Sequence, residues 1–333
     1  MKLIIQIPCF NEAKTLPRVV EDLPRVVEGF DAVEFLVVDD GSTDATAQVA
    51  RSLGVEHVIE LTANQGLARA FRTGMDECLR RGADVIVNTD GDHQYPGSYI
   101  PALTAPIVAG AADIVVGDRQ TDSVEDFSWL KRRLQAMGSR VVRVLSGTST
   151  PDAVSGFRAI SKEAALQLNI VSSFSYTIEM LIQAGNKGLK VVSVPISTNP
   201  STRPSRLARS TSRFIARSVA TMARVYSMYR PLKSFTIIGL VVGGLGVLPI
   251  LRFLYFWAMG EGDGHIQSLV LGGVLVVVGF VALMIGLVAD LINFNRQLME
   301  MTLERVRRLE LRESAPERAP DPTEIPEPSG KDD

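Results

Sequence analysis

The feature that most constrains this chain is a run of 21 residues without a charge, Leu269–Ala289, preceded by a second such run of 17, Phe235–Leu251. A helix rises about 1.5 Å per residue, so the longer run spans roughly 30 Å, the depth of a bilayer's hydrocarbon core. Between the two lie Arg252, the apolar stretch Phe253–Met259, the short connection Gly260–Gln267 and Ser268. A two-helix transmembrane hairpin over 234–292 is therefore expected, in preference to a buried hairpin of a soluble protein. The connection carries Glu261 and Asp263 and no Lys or Arg, whereas the outer flanks are rich in Lys and Arg. The positive-inside tendency then places both chain ends in the cytoplasm and the connection outside. Arg252 falls near the outer interface beside Tyr255 and Trp257, where it can snorkel.

The first 200 residues have the ordinary mixture of a water-facing domain. Short apolar runs at Leu3–Ile7, Val33–Val38, Val58–Leu61, Val85–Asn88 and Ile114–Val116 alternate with stretches that read as helices. Those helices are Ala13–Glu28 (Asn11 as cap), Thr43–Leu53 (Ser42 or Thr43 as cap), Gly66–Arg81 and Ile100–Ala109. The strands are too uniformly apolar to have a wet face, which predicts an α/β domain with a mainly parallel sheet covered on both sides. Further along, Lys131–Ser146 reads as a basic helix, Ser155–Ile160 and Leu189–Pro195 as strands, and Tyr176–Ala184 as a helix between them.

Ligands of such sheets bind outside the carboxyl ends of the strands. Two acidic clusters are predicted there: Asp39-Asp40-Gly41-Ser42 and Asp90-Gly91-Asp92. Two carboxylates one residue apart can hold a hard divalent cation beside a diphosphate, and Gln94 can add a carbonyl oxygen. Asp39 can accept from a base imide or a ribose hydroxyl, or can simply make an Asx-turn before the next helix. Pro8 and Phe10 offer a rigid, flat surface for a nucleobase, with Glu12 as an acceptor, although a loop with a helix cap would look the same. His57 reads as a surface residue, and His93, inside the acidic cluster, is not needed by a carboxylate site.

Asp and Glu total 37 against 35 Lys and Arg, a net charge of −2, so nothing global favours nucleic acid. Cys9 and Cys78 have neither disulfide-framework nor metal-site spacing and read as reduced core thiols. The short run after Met1 is too brief for a signal peptide, which predicts a cytoplasmic N-terminal domain. From Thr198 to Lys233 there are eight basic residues and no acidic one. Arg203, Arg206, Arg209, Arg213 and Arg217 recur every three or four residues, one basic face on a helix, suited to anionic headgroups, an anionic substrate, or both.

The segments IPCFNEAKTL, VVDDGSTDAT, NTDGDHQYPG, VVGDRQ, DAVSGFRAIS and STRPSRL, in this order over about residues 1–232, resemble family 2 glycosyltransferases of GT-A fold. The branch they most resemble uses polyprenyl phosphates as acceptors. That resemblance implies nucleotide contacts at Pro8, Phe10, Glu12, Val37 and Asp39. It implies Mg²⁺ or Mn²⁺ and diphosphate contacts at Asp90, Asp92 and Gln94. Arg119 would meet the sugar-diphosphate end of the donor, and Arg132, Arg203 and Arg206 the acceptor phosphate. The Arg203-Pro204-Ser205-Arg206-Leu207 segment is one residue shorter than the family's pattern and has Arg for Lys. Phe10 stands for the more usual Tyr. Gly91 stands for the usual Ala, an exchange expected to matter little because that side chain would not be a ligand.

The implied reaction is inverting transfer of a sugar from a UDP- or GDP-sugar to a membrane polyprenyl phosphate on the cytoplasmic leaflet. A phosphomonoester is largely dianionic at neutral pH and needs cations rather than a general base to attack. A hydroxyl acceptor would need a base, for which Asp152 is the candidate, unless Asp152 instead orients a neighbour. A catalytically silent membrane scaffold is the remaining alternative, against which the intact Asp39, Asp90, Asp92 and Arg119 speak. The expected catalytic set is thus Asp92, Arg119 and Asp152. The expected organisation is a GT-A domain over 1–200, basic juxtamembrane helices over 201–233, the hairpin over 234–292 and a tail over 293–333, disordered at its end. The protein would sit in the cytoplasmic (plasma) membrane, with self-association left open.

Overall fold

The computed structural model describes residues 1–120, 142–143, 146–148, 150–171, 176–200, 226–227 and 229–313. The Arg-rich run 201–225, Arg132, most of the expected 131–146 helix and the tail beyond 313 lie outside the described residues.

The N-terminal part runs β1 (Lys2–Cys9), α1 (Leu16–Asp22), β2 (Ala32–Asp39), α2 (Thr46–Ser52), β3 (His57–Glu60), α3 (Leu67–Arg80), β4 (Val85–Asn88), α4 (Ile100–Val108), β5 (Ile114–Asp118), β6 (Arg158–Ser161), α5 (Lys162–Gln167), α6 (Tyr176–Asn186) and β7 (Val191–Pro195). The strands form one seven-stranded sheet in the order β3-β2-β1-β4-β6-β5-β7. All neighbours pair in parallel except β6, which runs antiparallel between β4 and β5. This is the mainly parallel α/β sheet of the GT-A type. Alternation along each strand feeds two cores. Ile4, Leu36, Val38 and Ile86 pack with α3, α5 and α6 on one face. Leu3, Ile5, Phe35 and Val85 pack with α1 and α4 on the other.

Two helices are shorter than the sequence pattern predicts. α1 ends at Asp22 because Leu23, which precedes Pro24, is extended (ψ 134°), as residues before proline prefer. α2 begins at Thr46 with no side-chain cap. Ser42, the expected cap, instead gives its hydroxyl to Asp39.

After Arg230 come α7 (Pro231–Ala258) and α8 (Ile266–Glu313), both long and apolar enough to cross a membrane. Their antiparallel packing is set by glycine. A Cβ on Gly239 would lie 2.7 Å from the Gly279 carbonyl, and one on Gly246 2.8 Å from that of Gly272. Only residues without side chains permit this approach. Gly244, by contrast, faces open space.

The hairpin does not end where its apolar run ends. α8 continues unbroken past residue 292, the expected boundary, to Glu313. Its extension docks on the α/β domain. Lys187 pairs with Glu300 at 2.9 Å, Arg307 with Asp76 at 3.2 Å, and Arg308 with Glu163 at 2.6 Å. Arg307 also donates to the carbonyls of Leu166 and Leu168 at 3.4 and 3.1 Å, capping the end of α5. Arg296 lies 3.9 Å over the ring of Tyr229.

Candidate active site

β1, β2, β4 and β5 deliver their carboxyl ends to one sheet edge, and the residues singled out in the sequence gather there. Cys9 and Asp39 are register partners, and the Asp40 amide donates to the Cys9 carbonyl at 2.8 Å. The loop after β1 is therefore stitched to the loop after β2. Asn11, at φ 55°, is no helix cap. Its backbone amide donates to Ser42 Oγ and its side-chain Oδ1 accepts from the Thr43 amide, both at 2.8 Å. Asp39 Oδ1 accepts from the amide of Ser42 at 3.0 Å as well as from its hydroxyl, an Asx-turn. One carboxylate thus holds the turn and stands at the ligand edge. Asp40 has a separate task that the sequence did not disclose. Its two oxygens accept the amides of Gln65 and Gly66, each at 2.8 Å, and so fix the entry to α3.

Pro8 is buried and Phe10 half-buried at this edge. Glu12 is buried, and its Oε2 accepts from the Thr15 hydroxyl at 2.7 Å, which also reaches the Gly91 carbonyl at 2.8 Å. Val37 does not face the edge at all. It is 0% exposed within the core, so whatever it does for a nucleotide is done from beneath, by shaping the floor.

Asp90 and Asp92 follow β4 and are both half-buried. Desolvation first, and then the charge of Asp92, push the Asp90 carboxyl up to about 7, with Arg119 opposing. The floor under Asp90 is Gly156, where a Cβ would lie 3.1 Å from its Oδ1. Asn88 binds the Gly156 carbonyl at 2.8 Å, and the Gly156 amide donates to Tyr95 Oη at 3.3 Å. Gly91 is tighter than the sequence suggests. A Cβ there would come within 2.9 Å of Cys9 Sγ and 3.3 Å of Glu12 Cγ, so the expectation that alanine would matter little is corrected.

Gln94 donates its amide to Asp92 Oδ1 at 3.1 Å, orienting that carboxylate. The loop is held from outside by Asn199, whose amide donates to the Gln94 carbonyl at 2.9 Å and whose Nδ2 donates to the His93 carbonyl at 3.0 Å. His93 Nε2 itself turns to Asp22, 3.6 Å away. His57 is also no plain surface residue, since it bridges to Glu34 at 2.7 Å.

Arg119, just beyond β5, is gripped by Asp152: Nε to Oδ2 at 2.6 Å and Nη2 to Oδ1 at 3.0 Å. The loop that carries Asp152 hangs on Arg158, a fully buried residue. Its guanidinium binds the carbonyls of Ala153, Ser155 and Thr177 at 2.9, 2.8 and 2.9 Å, and burial pulls its pKa down to about 10. An arginine opening the apolar strand Arg158-Ala159-Ile160 was the available sign of this role. Among the predicted site residues, Arg132, Arg203 and Arg206 lie outside the described residues. Among the described residues no group of three or more His, Cys, Asp or Glu side chains forms a ready metal cage. Asp90 and Asp92, with Gln94, are the oxygen donors on hand.

Carboxylates and a guanidinium thus meet at one edge of the sheet. Comparison with known proteins places the chain in a family. The model of the family described as "Glycosyl transferase family 2" matches residues 4–168. A polyprenol monophosphomannose synthase of Mycolicibacterium smegmatis is 32% identical over 207 residues, covering 59% of this chain and 77% of that protein. An undecaprenyl-phosphate mannosyltransferase of Micrococcus luteus is 28% identical, covering 59% of this chain and 83% of its own. Among solved structures, glucosyl-3-phosphoglycerate synthase from Mycobacterium tuberculosis, in complex with Mn²⁺, UDP-glucose and phosphoglyceric acid, superposes with a TM-score of 0.55. It is 19% identical and covers 68% of this chain and 80% of that one, a likeness of fold.

Proposed function

The chain belongs to glycosyl transferase family 2, and from that premise we propose that this glycosyltransferase moves a sugar from a UDP- or GDP-sugar to a membrane polyprenyl phosphate, with inversion, on the cytoplasmic leaflet. The observation that carries the reading is the meeting of Asp39, Asp90, Asp92 and the Arg119–Asp152 pair at one edge of a sheet domain docked against a membrane-length hairpin. The two mannosyltransferase relatives support the choice of acceptor.

Pro8, Phe10, Glu12 and Asp39 hold the nucleotide, with Val37 beneath. Asp90, Asp92 and Gln94 would hold Mg²⁺ or Mn²⁺, which when bound offsets the charge of the departing diphosphate. The donor set fits: burial and Asp92 make the ionised Asp90 costly, and a dication held by these residues would offset that cost. Arg119 presents to the donor the guanidinium edge that Asp152 leaves open, and Asp152 fixes its angle. A carboxylate so engaged is a poor general base, which speaks for an acceptor that needs none. A lipid phosphate dianion is such an acceptor, with Arg132, Arg203 and Arg206 proposed to steady it against the similarly charged donor. In-line attack on the anomeric carbon then inverts it. The hairpin keeps the domain at the surface where the lipid lies.

The test is transfer by the full chain in detergent or nanodiscs, across a panel of UDP- and GDP-sugars with Mn²⁺, with and without polyprenyl phosphate. Transfer from one donor to the lipid phosphate with inverted configuration, lost in Asp92→Ala, is the expected result. Donor turnover without transfer to the lipid would move the acceptor to a hydroxyl, and a retained anomeric configuration would remove the mechanism.

A further inference from the structure

α8 beyond the hairpin has its chemistry the wrong way round for a helix bathed in water. The face against the α/β domain carries the charges: Glu300, Glu304, Arg307 and Arg308 are the paired or half-buried residues there. The opposite face is apolar and open, with Met299 at 72%, Val306 at 43% and Leu309 at 57% exposure. A surface helix keeps its apolar stripe inward. This one keeps a second stripe outward.

The stripe has a heptad rhythm. Ile285, Ile292, Met299 and Val306 recur every seven residues, and Val288, Asn295, Thr302 and Leu309 fall between them at the complementary spacing. Such a seam is the geometry of two helices wound together. It crosses the hairpin's end without a break. The start of α7 is level with Gly286, where an added Cβ would meet Phe235. From Ile292 to Leu309 the helix advances a further 25 Å or so, past the end of its uncharged run. Whatever covers the seam must follow it along the same unbroken helix.

We infer that the outward face of α8, from Ile285 to Leu309, is an interface between two copies of this chain, paired in parallel through their α8 helices. A second α8 starts in the same bilayer, leaves it at the same height and carries the same stripe, so a two-fold axis along the helices covers both at once. Asn295, polar within the seam, meets its own counterpart only when the two helices are in register. The docked faces, turned away from the axis, are left to hold one α/β domain each. The inference stands apart from the proposed reaction and would hold whatever the donor.

Single cysteines on the full chain in nanodiscs test it, Cys9 and Cys78 being buried. Val306→Cys and Leu309→Cys should cross-link to a dimer with a short bis-maleimide. Met301→Cys, equally exposed but off the seam, should cross-link at least fivefold less. Leu309→Arg should lower the particle mass seen by mass photometry by one chain, 36.2 kDa, while the melting temperature stays put. A monomer mass for the unaltered protein, or equal cross-linking at 301 and 306, would overturn the inference. So would quenching of a fluorophore at Val306→Cys by brominated lipid, since lipid would then be the cover.

Discussion

Arg119 and Asp152 meet through two hydrogen bonds, 2.6 and 3.0 Å long, with the Asp152 side chain 1% exposed and the Arg119 side chain 15%. The direction of the Arg119 guanidinium is thus set by a residue 33 positions later in the chain. Asp152→Asn keeps the shape but cannot grip both nitrogens as an anion. The expected outcome is a fall of about 100-fold in kcat, the scale of a misplaced catalytic group, with Mn²⁺–nucleotide affinity unchanged by calorimetry. A general-base role would instead show as a loss confined to hydroxyl acceptors.

Asp90 sets a pH dependence. Its carboxyl stands at about 7 in the folded chain against an ordinary 3.8. Between those values the metal-free fold holds a proton that the unfolded chain has released, so stability falls as pH rises through this window. Melting temperatures without metal should therefore drop from pH 5 to 7.5, and Asp90→Asn should flatten that slope. Mn²⁺ should bind more weakly as pH falls below 7. Equal slopes for both proteins would rule the assignment out.

Gly91 is packed against Cys9. Gly91→Ala forces a methyl to within 2.9 Å of the Cys9 sulfur, an overpacking that costs about 1–3 kcal/mol. Removing the sulfur makes room, so Gly91→Ala should cost less in a Cys9→Ala background than alone. A double-mutant cycle on thermal melts reads the coupling directly.

Arg307 anchors the extension of α8 through Asp76 and two carbonyls of the α5 end. Arg307→Ala should loosen that attachment by about 1–2 kcal/mol, visible as faster hydrogen exchange over 300–313. Arg308→Ala, which removes a more exposed pair, should change the same amides by less than about 1 kcal/mol.

The strands were legible because apolar β-branched runs such as Leu3–Ile7 and Val33–Val38 have one stable destination, a sheet covered on both faces. The acidic clusters were legible because they directly follow such runs. Less could be read where a residue acts through a distant partner. Nothing local in Asp40 announces the amides of Gln65 and Gly66, and nothing in Asn199 announces the loop of Asp92. The antiparallel course of β6 depends on where its neighbours already lie. Val37, implied as a nucleotide contact, has its side chain in the core on the α1 and α4 face of the sheet, which its place in an apolar run does not distinguish from a position at the edge. The extension of α8 read as a tail because its charges, which normally mark a solvated face, are spent on the α/β domain.

One unbroken helix from Ile266 to Glu313 is a lever roughly 70 Å long by its rise per residue. It has no joint at the bilayer surface. A membrane helix adapts to a thinner or thicker bilayer by changing its tilt. In the proposed arrangement that tilt is handed directly to the domain bolted to the lever's far end. In that arrangement the angle of the proposed sugar-transfer site to the membrane plane is expected to follow the thickness of the bilayer.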